Sequence, residues 1–429
     1  MPPTRDSSGT LRLSGADLSE LSGGTGTPFY AYDIGAMAQG ARALRAAFEG
    51  QKHLVAYALK ANTAGAVVRT FAAEGCGGEV VSGAELRVAL ACGIAPEQII
   101  YNGVAKTDAE IDLALSCGPR GIGAVLLESV EEIARVEARA LAAGRKARVG
   151  IRVNPSIDLA GKTHAHIATG HDRAKFGVPR DDAAAAAGLV EKSAHLHLVG
   201  ISAHVGSHFK TVAPYVDSAL VVFGIVRSLR DAGRLRSLEF VDTGGGFAVD
   251  YAGDASPPLP TPADFVLSVR AAQREHGLDD LALYVEPGRC LVAAYGVLVA
   301  SVIQSKVTAT ARWLMIDAGM NDLLRPALYQ ARHQIVPLRG DAPGTAIPWR
   351  VVGPVCESSD DFGEHLLPRD PAGQVAILDA GAYGYAMASN YNGRQLPAEV
   401  FLRDGRVVGR TVQASPEAWA QARARAGTA

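Results

Sequence analysis

Cysteine is scarce in this chain of 429 residues. There are five, Cys76, Cys92, Cys117, Cys290 and Cys356, an odd set without a CxxC pair. That argues against a disulfide framework or a zinc ribbon and fits a reducing compartment. Neither charge sign is in excess: 42 Lys and Arg face 44 Asp and Glu, for a net charge of −2. A nucleic-acid binder would carry a basic surplus. The longest apolar run, 290–303, is too short and too rich in small residues to span a bilayer. The N-terminal MPPTRDSSGT lacks the apolar stretch of a secretory signal, and no GxxxxGK[ST] loop is present, which disfavours a nucleotide triphosphatase. Short internal repeats are absent too. The expectation is a soluble, cytoplasmic enzyme with no nucleic-acid or membrane partner.

What is present is enough apolar residue for a large core, 48% hydrophobic against 20% charged. The length predicts two domains, one of which an α/β barrel of about 250 residues can supply. Short β-rich runs recur at 54–59, 79–81, 98–101, 124–127, 147–153, 198–204, 238–241 and 282–285, with helix-like spacing between them. The clearest helix covers 215–232, where Val216, Leu220, Phe223, Val226 and Leu229 form one stripe. Gly75, Gly93, Gly118, Gly144 and Gly233 stand where helix C-caps are expected. Eight alternations predict a (β/α)8 TIM-like barrel; an open doubly wound sheet is the other solution, since strand count does not prove closure.

After Pro287 the pattern changes to alternating and β-branched runs at 297–307, 313–316, 349–352, 374–378, 399–402 and 406–412, which predict a mostly antiparallel β domain. The expected division is a barrel over 30–287, a β domain of 288–415 completed by 1–29, and a tail at 416–429.

Barrel active sites occupy the C-terminal ends of the strands. There the chain offers Lys60 after the first strand, His204 at the end of the sixth, Gly244-Gly245-Gly246 after the seventh and Glu286 after the eighth. Each has an ordinary explanation, a solvated lysine or a flexible turn. Yet Lys60 follows an apolar strand, and partial desolvation lowers a lysine pKa and makes it nucleophilic toward a carbonyl. A glycine run at that position lets backbone N–H groups converge on a phosphate. The pairs His164/His166, His195/His197 and His204/His208 have ligand-like spacing, but such pairs are common by chance, and a metal-dependent barrel needs carboxylates at the strand ends beside them. His195 and His197 precede the sixth strand on the opposite face, so no metal is expected. In the second half, Arg325, Tyr329, Cys356, Glu357, Tyr383 and Tyr385 cluster in Gly- and Asp-opened strings that turns alone do not explain.

The motifs YALKAN, EVVSGAEL (79–86), HxHIATG…KFG (164–177), AHVGS, DTGGGF, EPGR, RPALYxAxH, GPVCES and SNYNGR follow one another in the order of a known family. From 27 to 402 the chain resembles the pyridoxal-phosphate decarboxylases of the alanine-racemase-like fold (fold type III), within them the diaminopimelate decarboxylases. The resemblance implies pyridoxal 5′-phosphate as cofactor, with Lys60 carrying it as an internal aldimine and His204 stacking on its ring. It implies a phosphate cradle of Gly244, Gly245, Gly246, Ser207, Gly288, Arg289 and Tyr383, and Glu286 facing the pyridine nitrogen. On the substrate side it implies Arg289 and Arg325 for the distal carboxylate, Glu357 for the distal ammonium, and Tyr329 and Tyr383 to complete the pocket. Cys356 resembles the proton donor, delivered from the other subunit of a homodimer.

The reaction so implied is decarboxylation of meso-2,6-diaminopimelate to L-lysine and CO2, the last step of lysine biosynthesis. Glu79, Ser202 and His208 depart from the family's usual Asp, His and Gln. They leave room for an altered substrate, a modified diamino acid or a polyamine precursor. An ornithine-type substrate has a cationic distal group, which suits two pocket arginines poorly. A racemase of this fold would use a tyrosine in place of the Cys-Glu pair. A non-catalytic cofactor-binding protein would be a lone barrel.

Overall fold

The computed structural model describes residues 2–157, 170–171, 174–251, 253–340 and 346–425. The chain forms two compact units. One comprises Ala38–Val249 and Ser256–Cys290, the other Met1–Met37, Asp250–Ala255 and Leu291–Ala429.

The first unit is a closed barrel of eight parallel strands: His53–Ala58, Gly77–Val80, Ile99–Tyr101, Ala124–Leu127, Ala147–Asn154, Leu196–Ser202, Phe240–Asp242 and Ala282–Val285. They pair in chain order, and Leu283 of the eighth opposite His53 of the first closes the ring. The two-residue strand Val178–Pro179 extends the fifth. Leu54, Ala56, Ile100, Ala124, Leu126, Val199 and Phe240 form a core cluster. Phe240 has room only because residue 200 is glycine, where a Cβ would lie 2.1 Å from the Phe240 ring.

Four connecting helices, Gly65–Ala73, Gly83–Ala91, Val130–Ala142 and Ala213–Asp231, end in the same way. Gly75, Gly93, Gly144 and Gly233 stand two residues beyond, with φ between 62° and 91°. In each, the glycine N–H and the next N–H bond back to carbonyls of the last turn, as Gly75 does to Ala72 and Cys76 to Phe71. Gly118 also has positive φ after Asp108–Ser116, and Gly277 repeats the bonding pattern after Pro262–Glu275.

Three local expectations shift. On the helix Ala213–Asp231 the buried face runs through Tyr215, Ala219, Val222, Phe223, Val226 and Leu229, while Val216 and Leu220 lie at its margin. Apolar side chains ring this helix widely, so the pattern alone placed the stripe off centre. The sixth strand starts at Leu196, so His197 lies within it, opposite Arg148, and does not precede it. The seventh starts at Phe240, because Leu235–Leu238 is a turn closed by the Leu238 N–H on the Leu235 carbonyl.

The second unit is built on a sheet whose order runs Asp361–Leu367, Ile347–Val352, Arg312–Ile316, Gly296–Val307, Phe29–Asp33, Ala398–Arg403, Arg406–Arg410. Gln374–Ile377 pairs with Gly296–Val307 and carries Ile335–Pro337. Most pairs are antiparallel; two are parallel, Phe29–Asp33 with Ala398–Arg403 and Arg312–Ile316 with Ile347–Val352. Leu11, Leu13 and Leu18 of the N-terminal segment share a core with Phe29, Val297, Val299, Val400 and Leu402. The strand Asp361–Leu367 was not anticipated. Its Gly363, at φ 87°, breaks the two-residue alternation, leaving Phe362, His365 and Leu367 buried. The helix Pro416–Arg425 buries no residue.

Candidate active site

Lys60 sits in the single turn Leu59–Ala61 directly after the first barrel strand. Its Nζ donates to Oε2 of Glu79 at 2.5 Å, and the side chain stays 36% exposed while that of Glu79 is 1% exposed. Glu79 lies in the second strand. Asn102, just past the third, donates from Nδ2 to both Glu79 Oε1 (3.2 Å) and Glu286 Oε1. Three strand ends are thereby tied together across the mouth of the barrel.

His204 stands two residues beyond the sixth strand. Its Nδ1 accepts the N–H of Gly245 at 3.1 Å, so that nitrogen bears a lone pair. Burial, and the positive charges of Arg152 and Lys60, hold the imidazole well below its usual pKa. Glu286 Oε2 is 4.0 Å away, too far for a hydrogen bond, and the ring is neutral beside it. Burial and the neighbouring carboxyls of Asp242 and Glu79 hold Glu286 well above the usual carboxylate range. Asp242 is likewise raised by burial, partly offset by the Gly244 N–H on its Oδ1 at 2.8 Å.

The glycine run is sterically obligatory. A Cβ on Gly245 would lie 2.0 Å from the Glu286 carbonyl oxygen, and one on Gly246 2.4 Å from that of Gly206. Gly244 and Gly246 also have φ of 72° and 104°. Gly288 packs against Ala58 and Ala61, bringing the Glu286–Arg289 turn beside the Lys60 segment. Arg289 is buried and its Nη2 donates to Ser207 Oγ at 3.1 Å. The barrel unit thus brings together Lys60, His204, Ser207, Gly244, Gly245, Gly246, Glu286, Gly288 and Arg289. Of the three departures, Glu79 holds Lys60, Ser202 is buried in the sixth strand opposite Arg152 and Asp242, and His208 follows Ser207 at φ 71°.

In the β unit, Arg325 opens the helix Arg325–Tyr329, is 5% exposed and stacks on Tyr251 at 4.4 Å. Tyr329 ends that helix half-buried, and Tyr383 is half-buried at φ 56°. Cys356 and Glu357 lie on an exposed turn. The Cys356 N–H donates to Asn392 Oδ1 at 2.8 Å, and Glu357 accepts from the hydroxyls of Tyr391 and Ser359.

Sequence reasoning missed Asn102, Arg152, Glu128 and Asp242. Arg152 donates to Glu128 Oε1 at 2.8 Å and to the His204 carbonyl at 3.3 Å, bracing the loop that presents His204. All four stand at or just past strand ends, so the rule that found Lys60 and Glu286, applied to every strand, would have found them. His164 and His166 lie outside the described residues. Among the described residues no group of three His, Cys, Asp or Glu is placed to hold a metal ion, and no helix is long and apolar enough to cross a membrane.

Residues 35–293 match the family model of the pyridoxal-dependent decarboxylase, pyridoxal binding domain. The chain is 39% identical over 407 residues to the diaminopimelate decarboxylase of Zymomonas mobilis, covering 94% of each chain. It resembles the crystal structure of the Helicobacter pylori diaminopimelate decarboxylase complexed with L-lysine, with a TM-score of 0.87 and 37% identity over 95% of this chain and 99% of that one. For the M. jannaschii diaminopimelate decarboxylase in complex with L-lysine the TM-score is 0.90 and the identity 31%, covering 97% and 96%. By motif, fold and similarity over most of its length, the chain belongs to the pyridoxal-dependent decarboxylase family, among its diaminopimelate decarboxylases.

Proposed function

We propose that this chain decarboxylates meso-2,6-diaminopimelate to L-lysine and CO2, as the last step of lysine biosynthesis. The observation that carries the reading is the convergence of Lys60, Glu79, His204, Glu286 and the glycine run at one end of the barrel, in a chain so similar to diaminopimelate decarboxylases.

Pyridoxal phosphate is the cofactor, and the residues present fit it. Gly244–Gly246 leave no space for a Cβ, which lets a phosphate approach the backbone closely, and Arg289 and Ser207 add donors nearby. In this reading Tyr383 joins them and Gly288 keeps the adjoining turn thin. Lys60 supplies the amine, His204 a neutral ring to stack, and Glu286 a buried carboxyl for the pyridine nitrogen. When bound, the cofactor takes up the electron pair released as CO2 leaves.

The chain's own groups do the rest. Glu79 Oε2, already hydrogen-bonded to Lys60 Nζ, receives the proton that Lys60 must lose to act as a nucleophile. The Gly245 N–H locks the His204 ring plane, and Asn102 keeps the carboxyls of Glu79 and Glu286 from swinging. Arg289 and Arg325 bind the distal carboxylate and Glu357 the distal ammonium, with Tyr329 beside them. Cys356 returns a proton to the carbon that lost CO2. Its exposed position suits delivery into a second subunit's site, so the working form is a homodimer with composite sites. A division into a pyridoxal-binding barrel domain and a β domain completed by the N-terminal segment, and a cytoplasmic location, belong to the same proposal.

The test is an assay of lysine and CO2 from meso-diaminopimelate, on purified protein given pyridoxal phosphate, with absorbance recorded alongside. Lysine formation supports the proposal. A cofactor band without lysine would keep the family and move the substrate to a modified amino acid, with Glu79, Ser202 and His208 as the residues to examine.

A further inference from the structure

Arg325 is the first residue of its helix, and Gln330 ends that helix in a left-handed conformation at φ 53°. The reversal returns His333 to the side of Arg325, with Nη1 2.6 Å from Nε2 of the imidazole. A guanidinium has donors and no acceptor, so Nε2 accepts. Nδ1 of the same ring lies 2.8 Å from the Leu378 carbonyl oxygen, which can only accept. Both contacts therefore demand one state, a neutral imidazole with its proton on Nδ1. The backbone around it is fastened as well, since the Leu378 N–H donates to the Gln334 carbonyl. Tyr251 flanks the pair, its ring beneath the guanidinium and edge-on to His333 at 5.1 Å. His333 is 2% exposed.

An arginine side chain free to rotate loses rotamer entropy when it is fixed on a ligand. Here protein contacts fix it beforehand. We propose that His333, in this tautomer and with Tyr251, is a positioning residue that holds the Arg325 fork for a carboxylate at the far end of the substrate. It thereby selects a diamino dicarboxylic acid over a diamino monocarboxylic acid. The inference rests on the reading that Arg325 meets the distal carboxylate.

The experiment compares His333→Leu with His333→Gln in the holoenzyme. Glutamine can accept from Arg325 and donate to Leu378, so it conserves both contacts. His333→Leu is expected to raise KM for meso-diaminopimelate at least about tenfold. Its kcat, the inhibition constant of cadaverine, which lacks the distal carboxylate, and the cofactor absorbance should stay within about threefold, since none of these involves the distal carboxylate; L-lysine keeps that carboxylate after CO2 has left and should weaken along with KM. His333→Gln is expected to stay close to the wild type. An unchanged KM in His333→Leu, equal weakening of cadaverine, or a Gln variant as impaired as the Leu variant would overturn the proposal. If His333→Leu does not fold, Tyr251→Leu against Tyr251→Phe puts the same question, with only the former expected to raise KM. The tautomer is read separately from 1H–15N spectra of ring-labelled histidines, in which His333→Gln identifies the signal. A ring protonated on Nε2 at neutral pH would overturn the clamp whatever the substrate. A wild-type enzyme inert toward meso-diaminopimelate would instead overturn the function proposed above, leaving the spectrum to decide on the clamp.

Discussion

Arg289 has two expected roles, and its hydrogen bond to Ser207 favours the cofactor phosphate. Its Nη2 lies on Ser207 Oγ, in the loop assigned to phosphate. Arg289→Ala is therefore expected to weaken cofactor affinity about tenfold, as loss of a buried charged hydrogen bond does. An unchanged affinity, measured by absorbance titration, with a raised substrate KM would assign it to the substrate alone. Glu399 offers a test of stability. Burial pushes its carboxyl up to about 7 in the folded β unit, against an ordinary 4.5, with the Tyr32 hydroxyl partly offsetting the rise. The folded state thus holds the proton more tightly than the unfolded chain. That stabilisation is complete below about 4.5 and is lost as pH rises through about 7, at most about 3 kcal/mol. Glu399→Gln should raise the Tm at pH 8 and leave it nearly unchanged at pH 5. Equal shifts at both values would mean that the carboxyl does not titrate as described.

Glycines that look alike along the chain differ once the elements are assembled. Gly144 ends the helix Val130–Ala142 at φ 62° with no atom near its missing Cβ. Gly144→Ala should cost about 1 kcal/mol, the price of a left-handed alanine, and leave cofactor binding intact. Gly245 meets the Glu286 carbonyl at 2.0 Å. Gly245→Ala should abolish the cofactor absorbance even where the barrel still folds, as circular dichroism would report. If both variants bound cofactor equally, the glycine run would not be the cradle. The barrel elements were readable because apolar runs and Gly-terminated helices repeat. The sixth and seventh strand boundaries were not, because polar His197 hides the start of the sixth at Leu196 and apolar Leu238 continues the run into the turn before the seventh. Asp361–Leu367 was hidden by the glycine that breaks its alternation.

For the whole molecule, the proposal that two subunits complete each site has a sharp consequence. Lys60→Ala and Cys356→Ala proteins, each nearly inactive, should recover activity when their subunits are allowed to exchange. With random pairing half the dimers are mixed and one site of each is intact, so recovery approaches about a quarter of wild type. Recovery absent under proven exchange would place Cys356 in its own subunit's site or outside the chemistry.

Motif order carried the family resemblance that implied the cofactor, and strand–helix alternation indicated a barrel with its chemistry at the strand ends without proving closure. They did so because those features are written in local sequence and periodicity. Only the tertiary structure decided that Lys60 is held by Glu79, that Asn102 joins Glu79 to Glu286, and that His333 fastens Arg325. Those contacts join residues 19, 23, 184 and 8 positions apart. The barrel closure and one left-handed turn bring them together, and no local pattern encodes a contact made by chain reversal or by strands meeting across a ring.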